Sequence, residues 1–109
     1  MHEQARVAAF VDEHDLAAPP AYRLLDLTAE VGELASAATE STSYGRRPEE
    51  MTVDADEVGD VLFALLALAE GLEIDAGEAL TTAIEKYDSR LAEHGTPASR
   101  TEDPSGKAS

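Results

Sequence analysis

The stretch DADEVGDVLFALLAL, residues 54–68, decides the fold of this chain. No proline interrupts it, and valine, leucine and alanine occupy most of its positions, so it is predicted to be an α-helix. At about 100° per residue, the apolar side chains spread over a wide arc of the helix surface. One neighbour cannot bury so wide an arc, and we therefore expect this helix to pack against several others. The apolar positions are Val58, Val61, Leu62, Leu65, Leu66, Leu68 and Ala69.

Two pairs of carboxylates stand at helical spacing in different parts of the chain. Glu57 and Asp60 lie one turn apart at the edge of the apolar arc. Glu30 and Glu33 repeat this spacing in TAEVGELASAA, residues 28–38. Side chains at positions i and i+3 of a helix point the same way, so each pair is repulsive unless a cation lies between its members. If the two helices pack, the four carboxylates meet at their seam.

Such a cluster of carboxylates predicts a binding site for a hard divalent cation. Carboxylate oxygens suit Mg²⁺, which also keeps water and takes substrate phosphates as ligands, and Mn²⁺ is the alternative ion. Zinc is disfavoured, because His2, His14 and His94 share no ligand spacing. Either acidic pair alone is more simply explained as solvated surface. The repetition of the pair on a second helix is what favours a metal site.

The charge balance excludes several classes of partner. The chain has 109 residues and a net charge of −15, with 23 acidic residues against 8 basic ones. Nucleic acids and anionic membranes require clustered lysine or arginine, so neither is an expected partner. Acid excess with scarce lysine indicates adaptation to high salt, which screens self-repulsion. Without cysteine, a long apolar window or a secretory signal in MHEQAR, we expect a soluble, cytoplasmic protein.

Start and stop signals divide the chain into four predicted helices. Prolines end the first helix and open the second, and acidic caps precede the third and fourth. Pro48 and the two glutamates after it indicate a short helical turn in the long loop. We predict one all-α domain over residues 1–94 and a disordered tail over residues 95–109. The helices run from His2 to about Glu13, from Pro20 to about Glu40, from a cap at Thr52 or Asp54 to about Gly71, and from the Asp75 cap to Gly95.

Basic and aromatic residues in two further segments are candidate substrate contacts. Lys86 and Arg90 lie at i and i+4 on the fourth helix and suit phosphate, although pairing with nearby acids is the alternative. Arg46 lies in a loop that is able to fold over a substrate, where ordinary solvation is the alternative. Tyr44, in the same loop, is the aromatic residue that we select as a base contact. The others are more simply explained as core: Phe10, Tyr22, Phe63 and Tyr87.

These residues also carry a resemblance to a known family. The pattern ExxE–x23–ExxD, formed by Glu30, Glu33, Glu57 and Asp60, resembles that of the all-α nucleoside triphosphate pyrophosphohydrolases of the MazG type. LTAEVGELASA resembles the second helix of that family, DEVGDVLFALLALAEGLEID its third helix and following turn, and EKYDSRL the basic stretch of its fourth. The resemblance covers residues 24–91.

The resemblance implies a four-helix bundle that assembles as a homo-oligomer, either a dimer or a tetramer. It also implies Mg²⁺-dependent cleavage of a nucleoside triphosphate between the α- and β-phosphates, which yields the monophosphate and pyrophosphate. By position, Lys86 and Arg90 would contact phosphate, and Glu33 is our choice as acceptor of the proton from the attacking water. The implied metal ligands are Glu30, Glu33, Glu57 and Asp60.

Four departures from the family pattern leave the choice of substrate and the catalytic rate open. Two other functions also remain possible. One is the sister activity that removes pyrophosphate from phosphoribosyl-ATP in histidine synthesis. The other is a non-catalytic helical module that uses its third helix to dimerise or to dock a partner. In that case Glu57 and Asp60 would face bulk solvent. The departures are Ala29, Ala64, Thr82 and Ile84.

Overall fold

The computed structural model describes residues 1–97 of the chain. Over these residues the protein contains four α-helices, one short 3₁₀ turn and no strand, which confirms the predicted all-α class. The helix bounds agree with the sequence prediction to within a residue or two. Residues 98–109 of the predicted disordered tail lie outside the described residues. The elements are α1 (His2–Glu13), α2 (Pro20–Ser41), the 3₁₀ turn (Pro48–Glu50), α3 (Ala55–Gly71) and α4 (Ala76–His94).

Local chemistry explains where the helices begin and end. Pro20 occupies the first position of α2, where a missing backbone N–H costs no hydrogen bond. Asp54 and Glu57 form the predicted capping box of α3, in which the Asp54 backbone N–H donates to Glu57 Oε1 at 3.3 Å. Gly95 follows α4 with a φ of +73°, the left-handed conformation that a glycine adopts at a helix end.

The chain divides into two compact units, of which the first comprises Met1–Asp75. Within this unit α3 packs against both α2 and α1, as its wide apolar arc predicts. Gly71 at the end of α3 approaches Pro20 at the start of α2, and the Thr52 backbone N–H donates to Ser41 Oγ at 3.0 Å. These two contacts join opposite ends of the helices, so α2 and α3 are antiparallel.

Small side chains form the core of the first unit. Its buried apolar residues are Ala64, Leu66, Ala67 and Ala69, all on α3. Alanine lets helices approach closely but buries little apolar area, so the core is thin. The buried Gln4 side chain of α1 donates to the Ile74 carbonyl at 2.8 Å and to Glu70 Oε1 at 3.2 Å, which attaches α1 to the end of α3.

A large part of the apolar surface of α2 and α3 stays exposed. By helical periodicity the acids of α2 fall on one side of its seam with α3, whereas two of its exposed apolar residues, Leu24 and Val31, fall on the other. Val58 and Leu65 of α3 likewise lie across the seam from Asp60. We call this surface the uncharged face, and it consists of Leu24, Val31, Val58 and Leu65.

The second unit begins at Ala76 and contains α4. Tyr87 lies between the two basic residues that the sequence singled out on this helix. Lys86 Nζ is 5.1 Å from the centre of its ring, and the Arg90 guanidinium is 5.9 Å away. Arg90 also donates to the Pro97 carbonyl at 3.3 Å. In residues 1–97 no helix combines the length and apolar character that crossing a membrane requires.

Candidate active site

The antiparallel register of α2 and α3 brings the two acidic pairs to about the same height of the first unit. The acids of α2 occupy an arc of about 80° at 100° per residue. Because this arc borders the seam with α3, it concentrates negative charge where the two helices meet. The members of the arc are Asp26, Glu30, Glu33 and Glu40.

One carboxylate from each pair lines a shared pocket at this seam. The pocket has a volume of about 310 Å³, and Glu30 of α2 faces Asp60 of α3 across it. Asp26 adds a third carboxylate to the wall, and the ring of Phe63 closes one side. Glu30 is half-buried, whereas Asp60 is exposed. We call this site the acidic pocket.

The electrostatics of the acidic pocket act most strongly on Glu30. Desolvation raises the pKa of Glu30 above its ordinary value of 4.5, and the charges of Glu33, Asp60 and Asp26 raise it further. Both effects disfavour the ionised form of Glu30, and the three neighbouring carboxylates add negative charge around it. A bound cation would therefore lower the electrostatic free energy of this pocket.

Glu57 has a different environment from the other three predicted ligands. Its carboxylate accepts the Asp54 N–H in the capping box, and it lines a separate cavity of about 370 Å³ with Glu40 and Asp54. Glu33 is exposed and acts on Glu30 through its charge. Within residues 1–97 no three Asp, Glu or His side chains converge closely enough to hold a metal ion. The assignment of four metal ligands therefore stays a prediction.

The donor chemistry of the acidic pocket nevertheless fits a hard dication. Mg²⁺ binds carboxylate oxygens, and in phosphate-processing sites it uses one or two carboxylates together with water and substrate oxygens. Glu30 and Asp60 provide such a pair, and the raised pKa of Glu30 supplies the electrostatic reason for a cation to bind. A closed cage of protein ligands is not required for this ion.

Two residues that line the acidic pocket, Arg23 and Asp26, were not predicted from the sequence. Arg23 contributes a guanidinium whose side chain is 12% exposed and lies 4.0 Å from Asp26 Oδ2. Its Nη2 also donates to the Leu16 carbonyl, so the side chain is held in place. The available signal was spacing, because Arg23, Asp26 and Glu30 follow one another at i, i+3 and i+7. A search for acidic pairs alone does not detect it.

The loop after α2 contains the other candidate contacts. Ser43, Tyr44 and Gly45 have φ values of 55°, 61° and 86°, so three consecutive residues are left-handed. Buried Thr42 supports this turn, since its Oγ1 accepts the Gly45 N–H at 2.9 Å and donates to the Ala38 carbonyl at 2.6 Å. The turn presents Tyr44 with 80% of its surface exposed.

Arg46 is partly occupied by the loop itself. Its Nε donates to the Ser43 carbonyl at 3.1 Å, which leaves the terminal nitrogens of the guanidinium for other partners. Arg47 pairs with Glu50 at 3.5 Å within the loop and the following turn. The substrate-binding roles of Tyr44 and Arg46 stay predictions, as do those of Lys86 and Arg90 in the second unit.

Comparison with known proteins places the chain among nucleotide-processing domains. The family model described as the MazG nucleotide pyrophosphohydrolase domain matches residues 20–94, more than half of the chain. The chain is also 37% identical over 75 residues to YpjD of Bacillus subtilis (strain 168), a protein described as uncharacterized. That alignment spans 65% of this chain and 66% of the relative, just under two thirds of its length. No solved structure matches the chain.

Proposed function

The chain belongs to the family of MazG nucleotide pyrophosphohydrolase domains, and on that premise we propose that it cleaves nucleoside triphosphates between the α- and β-phosphates in a Mg²⁺-dependent reaction. The products are the nucleoside monophosphate and pyrophosphate. One observation carries the proposal: Glu30 and Asp60, from two helices, line a pocket in which the pKa of Glu30 is raised by desolvation and by neighbouring carboxylates.

Glu30 and Asp60 are the carboxylates that we assign to the metal. When bound, Mg²⁺ supplies neutralisation of phosphate charge and orientation of a water for in-line attack. Asp26 adds to the negative charge that favours a cation in the pocket. Glu57 lines a separate cavity and uses Oε1 in the capping box, so only its Oε2 is left for a metal, whereas Glu33 is exposed and can turn toward the pocket.

The remaining steps of hydrolysis fall to other side chains of this protein. Glu33 accepts the proton of the attacking water, since it is solvated and next to the metal-binding pair. By the family resemblance, Lys86 and Arg90 are the residues that we propose as phosphate contacts, and Arg46 of the loop is a further candidate. Tyr44 is proposed as an aromatic contact to the substrate because 80% of its surface is exposed.

Release of pyrophosphate from a panel of nucleotides tests the proposal directly. The panel contains the ribo- and deoxyribonucleoside triphosphates and phosphoribosyl-ATP, each with Mg²⁺, with Mn²⁺ and with a chelator. We expect metal-dependent release that Glu33→Gln and Asp60→Asn abolish. Glu49→Gln, which removes an exposed charge in the 3₁₀ turn, serves as the matched control and keeps wild-type rates. Normal turnover in both site variants would refute the site.

Phosphoribosyl-ATP is included to separate the two related activities. If it is the only compound cleaved, the chain has the sister activity rather than that of a triphosphate pyrophosphohydrolase.

The variant Lys86→Ala tests the proposed phosphate contact. If Lys86 contacts phosphate equally in the ground state and the transition state, this variant should have a higher KM at unchanged kcat.

The uncharged face favours a homo-oligomer, which we propose as the assembled state. Four exposed apolar side chains on two adjacent helices form one patch, and a contiguous apolar patch on a protein surface is typical of association sites. Leu65→Glu, which places a charge in this face, is expected to convert a dimer or tetramer to monomers in sedimentation experiments. Leu16→Glu, at a similarly exposed apolar position outside the face, is expected to leave the mass unchanged.

The same face supports the rival function of a non-catalytic interaction module. Under that alternative, assembly would depend on Leu65 while no nucleotide in the panel would be cleaved. The activity panel and the sedimentation experiment therefore distinguish an oligomeric enzyme from a docking module.

A further inference from the structure

A second cavity of the first unit, between α1 and α3, adjoins the acidic pocket. It is an open groove of about 500 Å³, a size at which small organic ligands bind. Val7, Leu62 and Leu66 make its floor apolar, while Glu3 and Arg6 stand at one side. The catalytic roles assigned above do not use these residues.

Two phenylalanines give the groove an aromatic character. The rings of Phe10 and Phe63 meet edge to face, with centroids 5.9 Å apart and an interplanar angle of 89°. This arrangement is a favourable aromatic contact that still leaves ring faces available for stacking. Contrary to the core position expected from sequence, Phe10 is 47% exposed. The His14 ring lies against it, with 4.5 Å between the ring centroids.

Phe63 connects the groove to the acidic pocket. Its ring lines both cavities, and Gly59 in the groove is followed directly by Asp60 in the acidic pocket. Along α3, Asp60 and Phe63 differ in height by about 4.5 Å, at 1.5 Å per residue. This offset is comparable to the length of the sugar that separates the base of a nucleotide from its phosphates. An aromatic, apolar cavity thus begins where the acidic cavity ends.

We propose that the groove between α1 and α3 binds the nucleobase of the substrate, with Phe10 as the stacking platform. This inference rests on the proposed function, because it takes the phosphates to lie in the acidic pocket. Base rings bury their faces against aromatic side chains and keep hydrogen-bonding edges. Glu3 and Arg6 supply an acceptor and donors for such an edge. Since α1 precedes residues 20–94, base preference in this protein would depend on a helix outside the matched domain.

Phe10 and Phe63 are the only two phenylalanines of the chain, which makes a direct test practical. Protein labelled with 4-fluorophenylalanine gives two ¹⁹F resonances, and Phe10→Leu identifies which belongs to Phe10. We expect both signals to shift with the four uncharged 2′-deoxynucleosides in metal-free buffer, since these carry the base without the phosphates that the acidic pocket repels. Inorganic pyrophosphate, which has no base, should leave both unchanged. No shift with any deoxynucleoside, or an equal shift with pyrophosphate, overturns the proposal.

Kinetics of the Phe10 variants provide the second readout. Phe10→Leu keeps apolar bulk but removes the ring, and we expect KM for the preferred triphosphate to rise about tenfold at unchanged kcat. Leu16→Ala, at a position that is 46% exposed and outside the groove, is the control and should behave as wild type. Unchanged KM in Phe10→Leu, with the same circular dichroism as wild type, contradicts base stacking.

The two experiments separate failure of this inference from failure of the proposed function. If wild-type protein releases no pyrophosphate but the fluorine signals respond to the deoxynucleosides, the base site stands and the proposed reaction fails. If pyrophosphate is released and the signals do not respond, the reaction stands and the base site is wrong.

Discussion

The carboxylate of Glu30 on α2 faces that of Asp60 on α3 across one pocket, and the charge of Asp60 helps to hold the Glu30 pKa above 4.5. The two residues belong to different acidic pairs, so their meeting is a property of the packed helices. Like charges that face one another cost stability unless a ligand compensates them. A cation-binding site without its cation is expected to destabilise the fold in this way.

The raised pKa of Glu30 predicts how stability depends on pH. Between 4.5 and the higher folded pKa, the folded state binds more protons at Glu30 than the unfolded state does. The contribution of Glu30 to stability therefore falls as pH rises through this window and stays low above it. In metal-free buffer Glu30→Gln should be more stable than wild type at pH 7, and the difference should vanish below the unfolded pKa.

Urea unfolding at a series of pH values measures this difference. Glu49→Gln removes an exposed carboxylate outside the pocket and should not reproduce the pattern. A Glu30→Gln protein that is no more stable than wild type at pH 7 would show that the carboxylates are effectively screened.

Mg²⁺ should stabilise the fold by mass action if the acidic pocket binds it. A ligand at one hundred times its Kd adds about 2.7 kcal/mol to the free energy of unfolding. We expect the Tm of wild type to rise with Mg²⁺ and that of Asp60→Asn to respond much less. Sodium chloride at matched ionic strength controls for screening of the −15 net charge. Equal responses to the two salts in both proteins would argue against a specific site.

Glu57 allows its structural and metal-binding roles to be separated. Glutamine at this position still accepts the Asp54 N–H, so Glu57→Gln should keep the capping box of α3. Glu57→Ala removes the cap and should cost about 1 kcal/mol, by analogy with other helix caps. Urea unfolding and pyrophosphate release are measured on both variants. Lost activity at full stability identifies a metal ligand, whereas activity that survives in Glu57→Gln limits the residue to capping.

The left-handed backbone at Tyr44 predicts a stabilising substitution. Non-glycine residues in this conformation cost about 1 kcal/mol, so Tyr44→Gly should raise the free energy of unfolding by about that amount. Tyr22→Gly, in the first turn of α2, should instead lower it by up to about 1 kcal/mol. If Tyr44 contacts substrate, the stabilised variant also has a higher KM. An unchanged KM would remove Tyr44 from the substrate site.

Local signals predicted the secondary structure well because helix formation depends mainly on nearby residues. The prolines before α2, the Asp54–Glu57 box and Gly95 mark helix ends through their own backbone chemistry. Periodicity likewise identified α3 as the helix with several neighbours, which its contacts with α1 and α2 confirm. The solvent exposure of apolar side chains was less predictable, since a buried stripe and an exposed stripe on a helix have the same residue spacing.

By itself the sequence determined the all-α class, the helix bounds and the fact that each acidic pair points one way, because these follow from neighbours three or four positions apart. Only the tertiary structure decided which acids share a pocket. Antiparallel packing put Asp60 opposite Glu30 and added Asp26 and Arg23, while Glu57 caps its own helix and lines a separate cavity. Those outcomes depend on the height and rotation of one helix against another, which spacing along a single helix does not encode.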